Sequence, residues 1–159
     1  MRKLVMMAAL GGALLGASFV GAVTFPDGGV TGADVVKMLQ DKGYRAELTK
    51  DSTGDPLIES SADGSNFSVY FYGCEGEPVR CDSIQFVAAF DVEGEGMTLQ
   101  DANAWNRDHR FGRVYLDDEN DPFLEMDVDV EYGFTTEAMG TNLATWTTVL
   151  PSFKEFIGF

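Results

Sequence analysis

Residues 66–91 read NFSVYFYGCEGEPVRCDSIQFVAAFD. The run 66–72 is β-branched and aromatic, and the run 83–91 has the same character, so each reads as a strand. Cys74 and Cys81, the only cysteines of the chain, bracket a turn-like insert, EGEPVR. If Cys74 faces Cys81, then Phe71 faces Ile84 and Val69 faces Phe86. Those pairs place four large apolar side chains on one face of a hairpin, and a buried face of that kind sets register. Redox motifs usually space two cysteines by two residues at a helix start, which activates one thiolate. A hairpin with six residues between its cysteines lacks that activation. A zinc site needs more ligands than two Cys and one His. A structural disulfide is therefore expected if the chain is exported.

Outward from this hairpin the pattern alternates. Upstream, TGAD at 31–34 is a variant capping box, with Val35, Met38 and Leu39 on one helical face and Gly43 as a stop. Residues 45–49 and 56–59 are short extended segments around a turn at 51–55. Downstream, TLQD at 98–101 repeats the helix-start pattern, with Leu99, Ala102 and Trp105 on one face. Residues 112–117 and 123–130 are strands joined by an Asp-rich turn. From Thr135 onward Met139, Leu143, Trp146, Leu150, Phe153 and Ile157 recur at alternating steps of four and three, an amphipathic helix that Pro151 should bend or interrupt. The expected order is α-β-β-β-β-α-β-β-α. That is an α+β domain with an antiparallel sheet of about six strands flanked by three helices.

The N-terminus has a separate logic. Arg2 and Lys3 precede an uncharged, apolar stretch from Leu4 to Val23, and Val20, Gly21 and Ala22 put small residues ahead of a polar exit. This pattern is that of a secretory signal peptide over residues 1–22, cleaved after Ala22. An uncleaved anchor is the alternative reading of the same stretch. Residues 23–30 look like a flexible leader, and 31–159 like one domain. The expected location is the periplasm or the exterior.

The net charge is −15, from 26 acidic and 11 basic residues. Loss of Arg2 and Lys3 with the signal would leave 26 acidic side chains facing nine basic ones. Such a chain repels phosphate backbones and anionic lipid headgroups, which argues against nucleic-acid and membrane-surface partners. It attracts cations and basic partners, and it aids solubility.

Candidate chemistry is sparse. His109 is the only histidine, its surroundings NRDHRF hold no nucleophile motif, and a place near a helix end suits a capping role. No enzyme activity, cofactor or metal is expected. Glu125, Asp127, Asp129 and Glu131 alternate with Leu124, Met126, Val128 and Val130, so a strand would show four carboxylates on one face. Aligning apolar faces puts Val114 opposite Met126 and Leu116 opposite Leu124, hence Arg113 opposite Asp127 and Tyr115 opposite Glu125. The acidic face is either solvated, a groove for a basic partner, or a small-ligand or cation site. A flat strand supplies cation ligands poorly.

The order and spacing of several runs carry a family resemblance: CDSIQF at 81–86, NAWNR at 103–107, RFGRVYLD at 110–117, LEMD at 124–127, and Trp146 with Phe153 and Phe156. From about residue 30 to the end, the chain resembles the YbjN-domain family. The resemblance implies a fold similar to type III secretion chaperones, with helices on an antiparallel sheet, often dimeric. It implies a sensory-transduction regulator with no established catalytic residues. Asparagine is unfavourable inside a helix, so Asn103 and Asn106 are expected to bond the adjacent strand or, with Arg107, to rim a binding groove. The candidate partner-binding set is thus Asn103, Asn106, Arg107, Glu125, Asp127 and Asp129. The expected function is that of a non-catalytic protein-binding, chaperone-like or regulatory module. Its partner would be another protein, basic or otherwise, or a second copy of the chain.

Overall fold

The computed structural model describes residues 21–92 and 96–159. The proposed signal segment therefore lies, up to residue 20, outside the described residues. The chain runs α1 (Gly32–Asp41), β1 (Ala46–Lys50), β2 (Pro56–Ala62), β3 (Ser65–Glu75), β4 (Arg80–Ala89), α2 (Leu99–Asp108), β5 (Arg113–Leu116), β6 (Pro122–Asp129) and α3 (Thr136–Ile157). The strands form one antiparallel sheet in the order β1-β2-β3-β4-β6-β5. The expected element order is the one found.

Local chemistry explains the helix starts. Thr31 and Asp34 close a reciprocal capping box on α1, and Thr98 and Asp101 do the same on α2. Each box satisfies backbone N–H groups that the first turn cannot pair internally. α3 runs through Pro151 without division, so of the expected bend or interruption the interruption does not occur. Leu150 and Phe153 on either side of it are both fully buried, and that packing outweighs the one backbone hydrogen bond a proline removes.

The hairpin of β3 and β4 has the register read from the sequence, with Val69 opposite Phe86, Phe71 opposite Ile84 and Cys74 opposite Cys81. The two cysteines are joined in a disulfide. Val69, Phe71, Ile84 and Phe86 are all buried on the face that meets α3. There Trp146 stacks on Phe86 at 5.6 Å and meets Phe67 edge-on at 5.8 Å. Trp105 of α2 joins the same core through Phe153, at 4.9 Å.

The expected register of the last hairpin needs correction. The pairing of β5 with β6 places Arg113 opposite Glu125, Val114 opposite Leu124, Tyr115 opposite Phe123 and Leu116 opposite Pro122. That is a slip of two residues from the alignment of Val114 with Met126. Such a slip leaves every side chain on its own face, so hydrophobic pattern cannot detect it. The turn decides instead. Asp117 accepts from the N–H groups of Glu119 and Asp121 through Oδ1, its own N–H donates to the Asp121 carbonyl, and Asn120 adopts φ +65°. This closes the loop tightly and fixes the strands' starting points.

Residues 23–30, expected as a leader, make backbone hydrogen bonds to the rest of the domain. The Val23 carbonyl accepts from Thr136 N–H, Phe25 N–H donates to the Phe134 carbonyl, and Gly28 N–H donates to the Glu131 carbonyl. Val30 exchanges two backbone hydrogen bonds with Cys81 and is fully buried. Gly29 makes this approach feasible, because at φ +87° a Cβ would lie 1.9 Å from the Cys81 carbonyl oxygen. Two apolar anchors, Phe25 and Val30, are enough to hold a segment that reads as polar and glycine-rich.

Candidate functional site

All three helices bury their apolar side chains in a single core on one side of the sheet. The other side, over its full width, has no helix against it among the described residues. Its side chains follow from strand alternation: Glu47 and Thr49 from β1, Leu57 and Glu59 from β2, Ser68, Tyr70 and Tyr72 from β3, Ser83, Gln85 and Val87 from β4, Phe123, Glu125, Asp127 and Asp129 from β6, and Arg113 and Tyr115 from β5. Five carboxylates thus share the face with one guanidinium.

The centre of this face is a connected network. The Tyr72 hydroxyl donates to Gln85 Oε1 at 3.1 Å, and Gln85 Nε2 donates to Asp127 Oδ1 at 2.8 Å. Glu125 is paired with Arg113 and is only 7% exposed, although no helix lies over it. Gln85 is buried to a similar degree. Tyr115 stacks on Phe123 at 5.0 Å beside them. Partial burial, reinforced by the charges of Glu125 and Asp127, raises the Tyr72 hydroxyl above the ordinary phenol pKa. Tyr115 is raised by burial and then by Glu125. Stability linked to these groups is constant below the ordinary phenol pKa and falls as pH rises past it, because the unfolded chain loses the proton first. Asp127→Asn is expected to lower the Tyr72 ionisation midpoint, read by ultraviolet difference absorbance, with Tyr72→Phe identifying the step. An unmoved midpoint would show that Asp127 does not act on the phenol.

The six candidate residues fall into two groups. Glu125, Asp127 and Asp129 lie on the open sheet face, with Asp127 and Asp129 exposed. Asn103, Asn106 and Arg107 lie on α2, and no hydrogen bond or ion pair joins the groups among the described residues. Asn106 grips the outer edge of β5: its Oδ1 accepts from Val114 N–H at 2.8 Å and its Nδ2 donates to the Val114 carbonyl at 3.0 Å. That satisfies edge groups which would otherwise invite another strand. Arg107 is exposed and paired with Asp108. Asn103 is exposed and makes no hydrogen bond among the described residues. Asn106→Ala is expected to cost about 1–2 kcal/mol in urea denaturation, since two hydrogen bonds to one residue's backbone are lost together. A loss within error would mean that β5 is held without it.

His109 is the C-terminal cap of α2. Its ring stacks on Trp105 at 3.6 Å, and Nδ1 lies 3.1 Å from the Trp105 carbonyl oxygen. It is thereby a packed cap, and Thr148 and Ser152 line the same small pocket. Among the described residues no three His, Cys, Asp or Glu side chains come together as a metal group. A groove of about 610 Å³ between α1 and α3 is lined by the apolar Met38, Met139 and Leu143 and by the charged Asp41, Lys42 and Glu137. Tyr70, Tyr72, Gln85 and Tyr115 were not among the sequence candidates. The signal for Tyr70 and Tyr72 was present in the run 66–72, where Ser68, Tyr70 and Tyr72 alternate with the buried Phe67, Val69 and Phe71.

A family model, YbjN, described as "Putative bacterial sensory transduction regulator", matches residues 31–159. None of the curated proteins compared with the chain matches it.

Proposed function

From the premise that the chain belongs to the YbjN family, we propose that it is an exported, non-catalytic regulatory module that acts by binding another protein through the open face of its sheet. The carrying observation is that face: a six-stranded sheet with helices on one side only, whose bare side displays Tyr70, Tyr72, Tyr115 and Phe123 among carboxylates. Tyrosines and a polar rim are the composition of a recognition surface more than of a merely solvated one. The family description as a regulator supports the same reading. Export rests on the apolar N-terminal stretch, and the Cys74–Cys81 disulfide is compatible with an oxidising compartment.

Photo-crosslinking in producing cells tests the binding role. A crosslinker at Tyr72 or Tyr115 is expected to yield a discrete protein adduct, and one at the exposed Leu99 of α2 is not. Absence of an adduct from both face positions, or equal yield from Leu99, would refute the assignment. Export is tested on the purified protein: an N-terminal residue of Val23 and no alkylatable thiol is the expected result. Recovery with Met1 intact and both thiols free would place the protein in the cytosol.

A further inference from the structure

The open face has a geometry that selects among protein partners. Asp127 and Asp129 are exposed on the same side of β6, two positions apart. Same-face residues of a strand recur every roughly 6.5–7 Å. Tyr72 reaches the Gln85 amide that bonds Asp127. The track thus sets two exposed carboxylates beside an aromatic ring. The one guanidinium on the face, Arg113, is already committed to Glu125. The exposed carboxylates along β6 therefore have no cationic partner within the described face.

We infer that this track receives an extended polypeptide segment of a partner protein that carries lysine or arginine at every second position, with its cationic side chains seated over Asp127 and Asp129 and against the ring of Tyr72. The inference rests on the binding role assigned to the open face. Three physical facts select this occupant. An extended chain repeats its same-side residues at the spacing of the carboxylates, whereas a helix presents same-side residues at three and four positions. Aromatic rings beside carboxylates favour guanidinium and ammonium groups over neutral side chains, because the ring face attracts cations. A polyanionic ligand is repelled by the same face and by the net charge of −15.

The test uses the protein purified from cells expressing the full chain and a labelled octapeptide of alternating arginine and serine. The control has the same composition with its arginines contiguous. The alternating peptide is expected to bind saturably, at least about threefold tighter than the control, with amide shifts at Tyr72, Gln85, Asp127 and Asp129. Asp127→Asn with Asp129→Asn is expected to weaken it about tenfold, and raised salt is expected to weaken it further. Tyr72→Ala, which removes the ring, is expected to bind more weakly than the unaltered protein. Both aspartates are exposed, so circular dichroism should report an unchanged fold. Equal binding of the two peptides, or an unchanged affinity in the double variant, overturns the inference. If the crosslinks above form while the peptide fails, the partner chemistry falls and the binding role stands. If both fail, the open face is not the docking surface.

Discussion

Trp146→Ala is expected to remove about 3–5 kcal/mol of folding stability, the largest single-residue loss in the domain. Trp146 is fully buried and bridges α3 to the sheet through Phe86 and Phe67, residues of two neighbouring strands. Truncation would strip the hydrophobic transfer energy of the largest side chain and leave a void that the two rigid rings cannot collapse to fill. A small domain has roughly 5–15 kcal/mol in total, so the variant should unfold at a much lower urea concentration or fail to accumulate. Trp146→Phe guards against that second outcome. The indole Nε1 has no hydrogen-bond partner among the described residues, so phenylalanine keeps an aromatic plate while removing a buried donor. Its cost should be well under half that of alanine. Urea denaturation followed by circular dichroism reads both. Equal stability of the alanine variant and the unaltered protein would show that α3 is not the keystone of the core.

Loss of the Cys74–Cys81 bond comes second, at roughly 2.5 kcal/mol in the chain-entropy account of so short a loop. The bond sits where three segments meet. Cys81 is fully buried, pairs across the hairpin with Cys74, and exchanges two backbone hydrogen bonds with Val30. Arg80 beside it donates to the Gly29 carbonyl at 3.0 Å and lies 3.8 Å from Asp34 of α1. Cys74→Ala with Cys81→Ala should therefore loosen residues 23–30 as well as the hairpin. Faster hydrogen exchange at Val30, Phe25 and Gly28 is the local signature, and a lower urea midpoint is the global one. Reduction of the unaltered protein should reproduce both. If the midpoint falls while exchange at Val30 is unchanged, the segment is held by its own packing and the disulfide serves the hairpin alone.

The same position shows why some features were readable beforehand. The β3–β4 register was legible because two cysteines and four apolar residues within a single local hairpin agree on it. The β5–β6 register was not, since a two-residue slip preserves both faces and the deciding contacts are Asp117 hydrogen bonds inside the turn. Asn106 was legible as a residue seeking strand backbone, and that is its use, though nothing in the run 103–107 marks Val114 as the partner. The candidate site was half legible. The acidic alternation on β6 is written in residues 124–131, whereas the tyrosines beside it come from β3 and β5.

By itself, the amino-acid order determined the helix starts, the strand faces and the cysteine hairpin. Capping boxes close over three residues, strand faces alternate with period two, and a hairpin needs only its own two arms. Only the tertiary structure decided that β6 lies between β4 and β5, that residues 23–30 are strapped to Cys81 and α3, and that Tyr72, Gln85 and Asp127 form one network. Those relations join residues far apart in the chain, and they are set by which surfaces can be buried together, a competition among long-range contacts that no local pattern records.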